Sequence, residues 1–69
     1  MNMNTYIFEY EKKGHIFTTI NRAEIYARRI EQAVDEFEDL FTFDRITKIY
    51  RVDCSYEEYV DKMNEKKGK

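Results

Sequence analysis

Three kinds of side chain in this sequence have types that could do chemistry: one histidine, one cysteine and a run of carboxylates. His15 would act as a general base only with a nucleophile or an orienting carboxylate held beside it, and Glu11 is the nearest candidate. Its simpler reading is a surface histidine at a turn. Cys54 precedes Ser55, a plausible helix start, and a helix N-terminus lowers a thiol pKa. The simpler reading there is a small, half-buried residue. Glu31, Asp35, Glu36, Glu38, Asp39 and Asp44 follow one another with no base until Arg45. On a helix, Glu31, Asp35, Glu38 and Asp39 share a face through steps of three and four, and Glu36 lies away from them. Such a face is a solvated surface, a docking surface for a basic protein, or a carboxylate site. The last fits poorly, because hard cations favour turn-rich ligand loops over helix faces.

The elements that must position these groups follow from periodicity. Residues 5–11, TYIFEYE, alternate, with Tyr6, Phe8 and Tyr10 on one face and Ile7, Glu9 and Glu11 on the other, which predicts a strand. Lys12-Lys13-Gly14 reads as a three-residue hairpin loop with Gly14 left-handed, and HIFTTI (15–20) as the second strand. That loop sends Ile16, Thr18 and Ile20 to the Tyr6 face and leaves Ile7 and Phe17 on the outer one. Asn21 with Glu24 forms a capping box and Ile20 with Ile25 a staple. From there Ala23, Tyr26, Ala27, Ile30, Ala33, Val34, Phe37, Leu40 and Phe41 recur at helical spacing, which predicts one long helix ending between Asp39 and Thr42. Phe43 falls outside that stripe, and its place is open. RITKIYRVD (45–53) reads as a third strand. Ser55 with Glu58 predicts a short C-terminal helix over Tyr56, Tyr59, Val60 and Met63, with Gly68 near its end.

The expected fold is therefore α+β with element order β-β-α-β-α. It has a three-stranded antiparallel sheet in order 2-1-3, one long helix on one face and a short C-terminal helix. The 69 residues form a single domain, with 1–4 and 66–69 frayed. One cysteine and one histidine exclude an intrachain disulfide and a Cys/His zinc site, so no metal or cofactor is expected. Stability is left to aromatic packing or self-association, and six Tyr with five Phe favour the first. No apolar run reaches the length of a membrane span, and a lone cysteine suits the cytoplasm.

A net charge of −2 argues against general affinity for phosphate backbone. The helix polarity is unusual: Arg22, Arg28 and Arg29 fall in its first half and the acids in its second, against the macrodipole.

The strand–turn–strand–helix–strand order, closing in Val52-Asp53-Cys54, resembles the small antitoxins of T-even-type phages that block host mRNA-degrading toxins. The resemblance covers about residues 5–54 and carries no binding residue over. Short, acid-rich, aromatic-rich, proline-free chains with one cysteine also resemble phage early proteins that act on host enzymes. It implies a non-enzymatic protein that binds a host protein such as a nuclease, in the host cytoplasm. We expect the Glu31, Asp35, Glu38 and Asp39 face to meet a basic surface there. Two alternatives use the outer sheet face around Ile7 and Phe17: a small nucleic-acid-binding regulator, with Lys12, Lys13, Lys48 and Arg51 nearby, or a homodimer paired through a face or an edge strand.

Overall fold

The computed structural model of the chain describes residues 3–67. Its elements are β1 (Asn4–Lys13), β2 (Thr18–Ala27), α1 (Ile30–Leu40), β3 (Arg45–Arg51), β4 (Cys54–Ser55) and α2 (Glu57–Lys67). The fold is α+β, with one antiparallel sheet in strand order β2-β1-β3-β4 and two helices. The 2-1-3 order therefore stands with β1 central, and the expected three strands become four. Ser55 lies in β4, paired with Tyr50, rather than capping α2. Val52 and Asp53 form the turn into β4 instead of ending β3. Of the termini expected to fray, Asn4 opens β1 and Lys66 belongs to α2. Met1, Asn2, Gly68 and Lys69 lie outside the described residues.

The largest correction concerns residues 21–29. They do not begin a long helix; the second strand, expected over 15–20, is Thr18–Ala27, and α1 starts only at Ile30. Ala23 and Ala27 fit a period of two with Ile25 as well as they fit a helical stripe with Tyr26 and Ile30, and tertiary pairing decides between the readings. As a strand, 18–27 pairs with all ten residues of β1, from Asn4↔Ala27 to Lys13↔Thr18 without a break. This puts Ile25 and Ala23 beside Tyr6 and Phe8 on the buried face. It also removes Arg22 from the positive end of a helix dipole, whereas Arg29 is the N-cap of α1 and Arg28 lies just before it. Asn21 does not cap: its Nδ2 donates to Thr19 Oγ1 at 3.2 Å. The start of α1 is held instead by the Arg28 amide, which donates to Gln32 Oε1 at 3.1 Å.

The hairpin loop is residues 14–17, not 12–14. No described residue has positive φ, so Gly14 is not left-handed. Glycine suits the position for another reason: its amide donates to the Phe17 carbonyl at 2.8 Å, and a Cβ would approach that oxygen tightly, at 3.0 Å. With this loop Ile16 and Ile20 are exposed and do not join the Tyr6 face.

Tyr6, Phe8 and Tyr10 of β1, Ala23, Ile25 and Ala27 of β2, and Ile46 and Ile49 of β3 line the inner face. Ile46 and Ile49 are three apart yet share that face because Thr47 is an extra residue between the pairs Glu9↔Lys48 and Tyr10↔Ile46. Phe37 of α1 stacks on Phe8 at 4.5 Å between ring centroids and meets Tyr10 edge-on at 5.2 Å. Phe43 is buried, 5.6 Å from Phe37. It fills the end of the core, and Leu40, expected there, is exposed. Tyr26 is likewise exposed, on the outer face of β2. Met63 brings α2 into the same cluster, so both helices cover one face of the sheet. The domain measures 43 × 21 × 20 Å, its long axis reflecting a hairpin that runs past the core.

Candidate functional site

The four acids expected on one docking face are divided by the structure. Glu31 accepts a hydrogen bond from the Tyr59 hydroxyl of α2 at 3.0 Å. Its carboxyl is held below the ordinary value, first by a backbone hydrogen bond and then by Tyr59. Glu38 also faces α2, with Lys66 Nζ at 3.8 Å. Asp35 borders a shallow depression that Arg28 and Arg29 line too. The face therefore has cationic neighbours that the sequence order hid, because Lys66 approaches from the other helix. What stays in water is a strip of Asp35, Glu36 and Asp39, and at its end Leu40, 69% exposed. Glu36, set aside by the helical wheel, thus joins the acids that remain available.

The outer sheet face is neither apolar nor basic. Ile7 is buried between its cross-strand neighbours Glu24 and Tyr50 rather than offered to a partner. Glu9 accepts from the Tyr50 hydroxyl at 3.0 Å, and Lys48 Nζ lies 5.0 Å from the centre of the Tyr50 ring. Arg51 is committed to Asp53 through hydrogen bonds of 2.9 and 2.7 Å, which hold the Asp53 carboxyl below its ordinary value. Phe17 is not on this face. It sits in the hairpin loop beside Ile16, and these two are 74% and 84% exposed.

That loop is the tip of an arm. The C-terminal end of α1 reaches Tyr10, whose ring lies 6.2 Å from Phe41. Beyond Tyr10, β1 and β2 continue as an exposed pair through residues 12–20. The arm is braced at its base by Asp44, which accepts from the Lys13 amide at 2.6 Å and donates its own amide to the Glu11 carbonyl at 2.9 Å. Its end therefore presents two large apolar side chains beside Lys12, Lys13 and His15. Sequence reading missed this because it assigned Ile16 to the core; the signal was apolar residues next to the turn, where no helix reaches to cover them.

The residues considered for catalysis are not assembled. Glu11 approaches Arg45, at 3.9 Å, and not His15. Cys54 sits at the far end of β3, opposite Arg51, whereas His15 is at the hairpin tip. The exposed Cys54 thiol donates to the Tyr56 hydroxyl oxygen at 3.1 Å. Among the described residues no group of three or more His, Cys, Asp or Glu is placed to hold a metal ion. No helix there is long and apolar enough to cross a membrane.

The phenols that tie these elements together carry a pH dependence. Tyr56 is pushed up to about 12, mainly by burial and then by Cys54. Tyr50 and Tyr59 are raised by their hydrogen bonds to Glu9 and Glu31. A group whose pKa is raised on folding stabilises the fold below its unfolded value and loses that contribution as pH rises through the folded one. Stability should accordingly fall between the ordinary tyrosine value of 10.0 and about 12. Urea midpoints measured across that range, with tyrosinate absorbance in parallel, check this, and a flat midpoint would contradict it. Tyr59→Phe should soften the decline.

No protein-family model, curated protein or solved structure matches the chain.

Proposed function

We propose that this protein is a small non-enzymatic binding protein that inhibits or regulates another protein. The observation that carries the reading is the pair Ile16 and Phe17, left in water at the tip of a braced arm. Large apolar side chains held out in water act as anchors when a partner desolvates them. The strip of Asp35, Glu36 and Asp39, with Leu40 beside it, favours a partner whose surface is basic. Charge of this kind raises the rate of encounter more than the final affinity. The resemblance to phage antitoxins points to a host nuclease as such a partner, with the protein acting in the host cytoplasm.

The test separates anchor from steering. The partner is first identified by affinity capture from a host lysate and then titrated in purified form. Ile16→Ser/Phe17→Ser should keep the fold, since both side chains are exposed, and lose about 30-fold or more in affinity. Asp35→Lys/Glu36→Lys/Asp39→Lys should mainly slow association and flatten its salt dependence. If both variants bind like the parent, the reading fails.

A further inference from the structure

We propose that the open edge of β2 pairs with the same edge of a second copy of this chain, antiparallel about a two-fold axis at Ala23. The two sheets then become one. The inference is independent of the arm tip and of α1, because it uses other residues.

The edge is built to pair. Hydrogen-bonded and non-bonded pairs alternate along an antiparallel ladder. The Gly14 amide bond to the Phe17 carbonyl marks that pair as bonded, and the uninterrupted register carries the alternation to Tyr10↔Asn21, Phe8↔Ala23 and Tyr6↔Ile25. A second observation agrees: the Glu11 carbonyl accepts from Asp44, so the odd residues of β1 turn toward β3 and the even ones toward β2. Ile20, Arg22, Glu24 and Tyr26 thus direct their amides and carbonyls at the open edge, and all four are exposed. Natural edges are commonly guarded by brevity, bulges, proline or lysine. The opposite edge, β4, is two residues long. β2 is ten residues long with no bulge, no proline and no lysine.

The side chains select one register. Face continuity requires even residues to oppose even ones, since a one-residue slip exchanges the faces. With Ala23 on the axis, Arg22 opposes Glu24 of the second copy, and Ile20 opposes its Tyr26. Each pair occurs twice, as two-fold symmetry demands. Shifting one way sets Arg22 against its twin, and shifting the other sets Glu24 against its twin; like charges directly opposite are unfavourable. Ile20 and Tyr26, 72% and 60% exposed, are the large apolar residues of β2 that the monomer leaves in water. Neither Arg22 nor Glu24 has an ion-pair partner among the described residues.

Sedimentation velocity over a concentration series tests the arrangement. The parent protein should pass from monomer to dimer. Arg22→Glu and Glu24→Arg should each weaken the dimer by about tenfold or more, and the Arg22→Glu/Glu24→Arg double exchange should restore it. A monomer at millimolar protein overturns the proposal. So does a dimer indifferent to the single reversals, or one that the double exchange does not restore. Amide exchange in the unaltered protein is a readout that needs no variant. The amides of Ile20, Arg22, Glu24 and Tyr26 should slow as concentration rises, while Ala23 and Ile25, already bonded to β1, should not. Equal behaviour of the two sets also overturns it.

Discussion

Phe37→Ala is expected to leave the chain unfolded at room temperature. Phe37 is fully buried, and four rings surround it: Phe8 stacked at 4.5 Å, Tyr10 edge-on at 5.2 Å, Phe41 at 5.1 Å and Phe43 at 5.6 Å. Phe→Ala in a core costs about 3–5 kcal/mol, and aromatic pairs add to their area burial by about 0.5–1.5 kcal/mol each. A domain of this size rarely has more than about 3–5 kcal/mol of net stability to lose. With one cysteine the chain closes no internal disulfide to compensate, and one side chain then decides the state of the whole chain. Far-UV circular dichroism and urea unfolding give the readout. Phe41→Ala is the control: Phe41 touches the same cluster but is only half-buried, so that variant should stay folded with a lowered midpoint. A cooperative transition for Phe37→Ala within about 1 kcal/mol of the parent would mean that the core is not organised around this ring.

What the sequence made legible, and what it hid, follows from how far apart the deciding partners are. The Tyr6, Phe8, Tyr10 face, β1 at the sheet centre and the antiparallel β3 were readable from alternation and connection rules. The boundary between β2 and α1 was not. Ala23 and Ala27 satisfy two periods at once, with Ile25 as a strand and with Tyr26 and Ile30 as a helix, and only the length of β1 as a pairing template resolves them. The charge order was only a partial signal: of the three arginines ahead of the acids, Arg22 moves into the strand, while Arg28 and Arg29 stay at the start of α1. Phe43 and Leu40 exchanged roles because the chain doubles back after α1, a geometry that periodicity within a helix does not express. The acidic face was legible as a face. Its contacts with Tyr59 and Lys66 were not, since those residues stand 28 positions from their partners.

The same long-range logic makes Asn64 the second position where one substitution should act strongly. β4 is too short to pair with the start of β3, so the backbone of Ile46 has no strand on that side. Asn64 of α2 takes the strand's place: its Oδ1 accepts from the Ile46 amide at 2.8 Å, and its Nδ2 donates to the Ile46 carbonyl at 2.9 Å. The amide side chain suits the task because it offers one acceptor and one donor side by side, as a neighbouring peptide group would. Asn64→Leu keeps comparable volume but leaves both backbone groups unpaired beside a fully buried Ile46, and each orphaned group costs about 1–3 kcal/mol. A loss of about 2–4 kcal/mol is expected, enough to unfold much of the population in a domain this small. Asn64→Asp separates the two bonds. A carboxylate cannot donate to the Ile46 carbonyl, so near neutrality it should be destabilising, while at acidic pH the protonated form regains a donor and part of the loss. Urea midpoints of the two variants at neutral and acidic pH, each compared with the parent at the same pH, measure this. If Asn64→Leu unfolds at the parent's midpoint, α2 does not hold the edge of β3, and its contribution rests on Met63 and the packing of Tyr59 and Val60.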